Sequence, residues 1–224
     1  MTILNHCHHG DRFFCAFDSA VSPSGDRIAK AIVLPHLRML VAGAGSALII
    51  HEWQTHLLRT PMPRAATVVD IDAATPGELR TLWATIAGAA KQDPRPTYFI
   101  LAGIDRTERV RAFQYLSDEN FESHELAPGI YVMPTLDAPR LVVAPAPDDP
   151  ETPTKSPLSL HVERPISWQW PWHKAVMSVT NMISRQRRQM EQRGEPVGEI
   201  TCILLDPFGA RVTFDGDIGA AEVA

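Results

Sequence analysis

The chain is short of cysteine, of net positive charge and of long apolar runs, and each shortage removes a class of function. Its three cysteines, Cys7, Cys15 and Cys202, cannot all pair with one another within one chain, so a disulfide scaffold is excluded and a reducing cytoplasm is the expected setting. Lysine and arginine number 21 against 26 aspartates and glutamates, a formal net charge of −5. A general nucleic-acid binder shows a basic face instead, so no nucleic-acid partner is expected. The longest apolar stretch, residues 39–50, is far below the roughly 20 residues of a spanning helix, and no membrane partner is expected. The first residues lack the basic and apolar regions of a secretory signal. No internal repeat, Gly-rich phosphate loop, CxxC pair or HExxH motif occurs in the sequence.

What remains is the composition of a globular protein, long enough for one sizeable domain over residues 1–224. Its first 45 residues read as two hairpins. Residues 2–9 and 12–18 flank a turn at Gly10-Asp11, and residues 27–34 and 38–43 flank a turn at Pro35-His36. A helix over 46–58 follows, capped by Ser46, with Ile49, Ile50, Trp53, Leu57 and Leu58 on one side. A short strand over 67–71 is expected next. Thr75-Pro76-Gly77-Glu78 then reads as the start of a second helix that carries Leu79, Leu82, Trp83, Ile86 and Ala90.

Strands resume at 97–102, 110–115 and 129–133. Residues 144–157, with proline at five of fourteen positions, read as an exposed loop. A helix over 172–191 and strands over 199–205 and 210–214 complete the chain. Strands separated by helices in this order indicate a layered α+β domain.

One constellation carries chemistry. Thr2 follows the initiator methionine, and a small residue there favours removal of Met1. The freed α-amine, with an ordinary pKa of about 7.7–8.0, is a base near neutrality, and the Thr2 hydroxyl is a nucleophile on the same residue. Such a pair needs a nearby cation, held by a carboxylate. Lys30 interrupts an apolar run, and lysine is rarely buried unless paired; Asp18 ends the strand beside the first.

Thr2, Asp18-Ser19, Lys30 and the run Met39-Leu40-Val41-Ala42-Gly43-Ala44-Gly45-Ser46 resemble the β-type subunits of the proteasome and the related bacterial HslV peptidase. These are N-terminal-nucleophile (Ntn) hydrolases with a four-layer αββα sandwich. The resemblance implies a bacterial, cytoplasmic threonine peptidase or amidohydrolase that acts on peptide or protein substrates. It also implies a ring-type homo-oligomer, with any ATPase partner unspecified, and no cofactor or metal. By the same resemblance Thr2 is the nucleophile, Lys30 lowers pKa values, Asp18 orients Lys30, and the Gly43 N–H stabilises the oxyanion. The sequence departs from the family at Ala20, where arginine is usual, in lacking a Gly-Ser-Gly turn, and at Gly194, Glu195, Pro196 and Val197, where groups supporting the nucleophile's amine are usual.

Two other readings stand beside the enzyme. One is an Ntn-fold assembly subunit that has lost turnover. The other is a metal-binding module built on His6-Cys7-His8-His9, whose side chains alternate on a strand and so offer at most two ligands to one site. Trp168, Trp170 and Trp172 read as packing indoles, and Arg185-Gln186-Arg187-Arg188 as a solvated helix face.

Overall fold

The computed structural model describes residues 3–20, 29–63, 65–90, 96–133, 161–164 and 171–216. The proline-rich segment 144–157, Trp168 and Trp170 lie outside the described residues. Strands β1 (Leu4–His9) and β2 (Arg12–Asp18) form the first expected hairpin, turning at Gly10, whose φ of +61° suits glycine. Strands β3 (Ala31–Leu34) and β4 (Met39–Ala44) form the second, joined by a one-turn 3-10 helix at Pro35–Leu37. Helix α1 (Ala47–Arg59) and helix α2 (Val68–Ala90) follow, then β5 (Tyr98–Ile104), β6 (Val110–Leu116), β7 (His124–Glu125), β8 (Gly129–Met133) and β9 (His161–Arg164). Helix α3 (Trp172–Gln192) leads into β10 (Ile200–Asp206) and β11 (Gly209–Gly216).

The start of α2 corrects the sequence reading. No strand forms over 67–71, because Thr67 and Asp70 make a helix start there instead. The Asp70 carboxylate accepts from the Thr67 N–H at 2.9 Å and from the Thr67 hydroxyl at 2.7 Å, so the third-residue side chain reaches back to the first N–H, and this start outweighs the β-branched character of the segment. Thr75 is therefore mid-helix, its hydroxyl bonded back to the Ile71 carbonyl at 2.9 Å, and Pro76 lies inside α2 rather than at its start. Ser46 does occupy the N-cap position of α1 but makes no side-chain capping bond.

The strands form two antiparallel sheets. One runs β11-β10-β2-β1-β8-β9 and the other β3-β4-β5-β6-β7. Alternation along each strand divides the apolar residues into three clusters. Leu4, Phe13, Cys15, Phe17 and Leu205 of the first sheet meet Leu40, Ala42, Tyr98, Ile100 and Ala112 of the second. The other face of the second sheet, with Met39, Val41, Phe99 and Leu101, packs on Ile49, Ile50 and Trp53 of α1 and on Val68 and Leu79 of α2. The other face of the first sheet, with Cys7, Phe14, Ala16 and Cys202, packs on Ala175, Val179, Ile183 and Met190 of α3. Asn5 Nδ2 donates to Gln186 Oε1 at 2.6 Å, a buried polar tie between β1 and α3. Leu58, expected on the buried side of α1, is 61% exposed.

The close approach of α2 to β5 depends on Gly103. A Cβ there would lie 2.6 Å from Met39 Cγ and 2.8 Å from Val68 Cβ. Gly103→Ala is expected to cost about 1–3 kcal/mol by overpacking, read as a lower urea midpoint with an unchanged m-value.

Candidate active site

Strand β2 ends where three segments converge. The Asp18 N–H donates to the Ile3 carbonyl at 3.3 Å, and Asp18 is the register partner of Ile200 on the opposite side. The Asp18 carboxylate is thus set between β1 and β10. Its Oδ1 accepts the Ala20 N–H at 2.7 Å and its Oδ2 accepts the Gly198 N–H at 2.8 Å. Two backbone donors fix its orientation. The Lys30 ammonium lies 3.7 Å from Oδ1, with both side chains at most 1% exposed, and donates a hydrogen bond to the Ala20 carbonyl. The ion pair therefore closes a ring of contacts: Asp18 to the Ala20 N–H, the Ala20 carbonyl to Lys30, Lys30 to Asp18.

An ammonium group is buried at a cost in solvation, and that cost sets its acidity. Burial pushes Lys30 down to about 8, against the upward pull of the Asp18 charge and its hydrogen bond. Lys30 stands immediately before β3, and its carbonyl accepts the Gly43 N–H at 2.8 Å. Asp18, Lys30 and Gly43 are thus brought together at one end of the two sheets. Thr2, covalently joined to Ile3, lies outside the described residues.

Nothing in the sequence marks Ala20 or Gly198 as a donor to Asp18. Both act through the peptide group, which leaves no residue-type signature. The neighbours of Gly198 leave no room for a side chain: a Cβ would lie 2.5 Å from Ser19 Oγ and 2.6 Å from the Ala20 nitrogen.

The histidine cluster is divided by the pleat, as alternation requires. His6 lies between the sheets, stacked on Tyr131 at 4.7 Å and Phe13 at 5.3 Å, with Nε2 3.1 Å from the Tyr98 hydroxyl. His8 Nδ1 lies 3.0 Å from the Leu126 carbonyl oxygen, whereas Cys7 packs on the α3 side. Among the described residues no three His, Cys, Asp or Glu side chains are grouped to hold a metal ion. Burial also pushes the Cys7 thiol up to about 12 and raises Cys15, so both are un-ionised at neutral pH and poor nucleophiles.

Burial, with a smaller contribution from His8, lowers His6 from 6.5 to about 3. The folded state then binds fewer protons than the unfolded state across that interval, so the stability His6 contributes is complete above pH 6.5 and is lost as pH falls toward 3. At pH 5 the loss amounts to roughly 2 kcal/mol. A His6→Phe variant is expected to show a flatter slope of urea stability against pH between 6.5 and 5; parallel slopes for the two proteins would refute this.

No helix among the described residues is long and apolar enough to cross a membrane. No family model matches the sequence, and no curated protein matches it. Solved structures do. The chain is similar to Anbu (ancestral beta-subunit) from Yersinia bercovieri, with a TM-score of 0.60 and 13% identity over 94% of this chain and 86% of that one. It is similar to the Anbu (Gly-1) mutant from Hyphomicrobium sp. strain MC1, with a TM-score of 0.56 and 15% identity over 100% and 89%. The helical assembly of the Anbu complex from Pseudomonas aeruginosa gives a TM-score of 0.68 and 14% identity over 98% and 88%. At these identities the likeness is one of fold, and it does not single out HslV among proteasome-like proteins. The chain has a proteasome-like α+β fold, with two antiparallel sheets and, among the described residues, three helices.

Proposed function

We propose that this chain is an Ntn-type threonine peptidase or amidohydrolase whose nucleophile is the hydroxyl of Thr2 after loss of Met1. The observation that carries the reading is the buried Lys30–Asp18 pair. A sandwich gains no stability from an ammonium group it must desolvate, so its retention at the strand ends beside Ile3 argues for use. The three apolar clusters fit the four-layer αββα order of that fold, with α1 and α2 outside one sheet and α3 outside the other.

In this mechanism the Thr2 α-amine accepts the hydroxyl proton as Oγ attacks a peptide or amide carbonyl. The Lys30 charge favours the ionising oxygen and keeps the amine neutral, and Asp18 holds Lys30 in place. A backbone N–H in the Gly43–Ser46 bend receives the oxyanion, Gly43 being the donor that the family resemblance suggests. The α-amine returns its proton to the leaving amine, and water then hydrolyses the ester. A homo-oligomer is proposed, supported by the helical assembly of the Pseudomonas aeruginosa Anbu complex, and the cytoplasm is its proposed setting on the low cysteine content alone.

A second reading, an assembly subunit without turnover, is favoured by the segment Gly194-Glu195-Pro196-Val197, which offers neither the serine nor the aspartate usual there. The two readings are separated by intact mass and fluorogenic-peptide cleavage on protein purified from its host. The enzyme reading expects chains lacking Met1, with cleavage that disappears in Thr2→Ala. Retained Met1, or cleavage unchanged in Thr2→Ala, rejects it.

A further inference from the structure

The end of the sandwich away from Lys30 carries a polar cleft that the proposed reaction does not use. It lies where the β1–β2 turn of one sheet meets the β5–β6 turn of the other, and its volume is about 580 Å3, within the range of small-molecule sites. Asp11, Asp105, Arg109, Arg111 and Glu125 supply its charged walls, and His8 is its buried histidine.

His8 is 6% exposed and is held by one edge of its ring. Nδ1 lies 3.0 Å from the Leu126 carbonyl oxygen. A carbonyl only accepts, so Nδ1 carries the hydrogen. Burial lowers the pKa of the ring, against the pull of the Leu126 and Val110 backbone and of the Glu125 charge. The imidazole is therefore neutral near pH 7, and Nε2 is an acceptor. It has no hydrogen-bond partner. Leu126 is not part of the cleft wall, so the ring edge that meets the cleft is the one opposite Nδ1, which carries Nε2. A buried acceptor left unmet is a cost that a bound donor removes.

The walls add acceptors. Asp105 Oδ1 takes the Thr107 N–H and hydroxyl, each at 2.7 Å, and the Arg109 N–H at 3.1 Å. These bonds fix the carboxylate and leave Oδ2 without a donor among the described residues. Asp11 makes only a long, exposed pair with Arg12, at 3.8 Å. Glu125 is matched by Arg111, which donates to both of its oxygens. Arg109 stands exposed, so three carboxylates face two guanidinium groups and the cleft is net acidic. Among the described residues no three such side chains are grouped to hold a metal ion. An ammonium group brings both the charge and three donors, and Val110 offers its alkyl stem an apolar wall.

We propose that this cleft binds a primary alkylammonium group, with His8 Nε2, Asp105 Oδ2 and the Asp11 carboxylate as its acceptors. The group is that of a free diamine or of a lysine side chain in a polypeptide. The site does not involve Thr2 and stands whether or not the chain is an enzyme.

Isothermal titration calorimetry of the full chain near neutral pH tests it, with diaminopentane, Nα-acetyl-lysine amide and, as an anionic control, acetate. One saturable site per chain is expected for an amine, weakened on the order of tenfold or more in Asp105→Asn and in His8→Phe. Asp105→Asn keeps the oxygen that holds the turn, so it tests the charge even if His8→Phe fails to fold; circular dichroism checks both variants. Tight binding of the lysine amide assigns the site to a polypeptide, and binding of diaminopentane alone assigns it to a soluble amine. No saturable heat from either amine up to about 10 mM, amine binding unchanged in Asp105→Asn, or acetate bound in the amine's place overturns the proposal.

Discussion

Lys30→Met will leave a folded protein whose peptide cleavage is slower by on the order of 10³-fold or more, with the loss in kcat rather than KM. The side chains are close in length and the position is buried, so what disappears is the charge. Without it the Thr2 hydroxyl keeps its ordinary acidity and the α-amine no longer has a neighbouring ammonium favouring its neutral form. The same charge gives the wild type a pH limit. With Lys30 held near 8 by burial, its supporting charge is lost progressively as pH rises through that value, and the variant's residual activity lacks this limb.

Stability moves in the opposite sense. The folded pKa is below the unfolded 10.5, so the Lys30 contribution is complete above 10.5 and is lost as pH falls through about 8. Wild type therefore gains on Lys30→Met by up to about 1.4 kcal/mol per pH unit within that window. Urea midpoints of both proteins at pH 7, 8 and 9 check this. A difference that stays constant with pH contradicts a buried, depressed lysine.

Asp18→Ala is expected to be the most destabilising single truncation at the site. It strands the Lys30 ammonium and removes the acceptor for the Ala20 and Gly198 N–H groups together. Breaking one side of a buried pair costs about 3–5 kcal/mol, a fall of roughly 10 °C in Tm for a chain of this size. Asp18→Asn separates the two contributions, because it keeps a carbonyl oxygen for a backbone donor and lacks the charge. A Tm for Asp18→Ala within a degree or two of wild type would show that the carboxylate does not anchor the cluster.

The parts of this protein legible from sequence are those in which side-chain type and spacing carry the structural cause. The hairpins are marked by the turn residues between their strands, and β2 and β8 have the bounds expected for them. Lys30 stood out because a charge inside an apolar run needs a partner, and the partner expected for it, Asp18, is the one found. Where the cause lies in the backbone or at long range, the reading failed. Pro76 looked like a helix start because its missing N–H costs nothing in the first turn, yet the Thr67–Asp70 cap had already begun α2. The two-residue β7 and the four-residue β9 are too short to show a period. The donors that hold Asp18 belong to Ala20 and Gly198, whose side chains contribute nothing to the bond.

The most direct test of the central claim, that a buried Lys30–Asp18 pair makes the Thr2 hydroxyl reactive, is covalent labelling. Protein that has lost Met1 is treated with a β-lactone acylating agent, and the adduct is counted by intact mass and located by peptide mapping. The account predicts one acyl group per chain, on Thr2, abolished in Thr2→Ala and strongly slowed in Lys30→Met. An unlabelled Thr2 in the mature chain, or labelling as fast in Lys30→Met as in wild type, contradicts it.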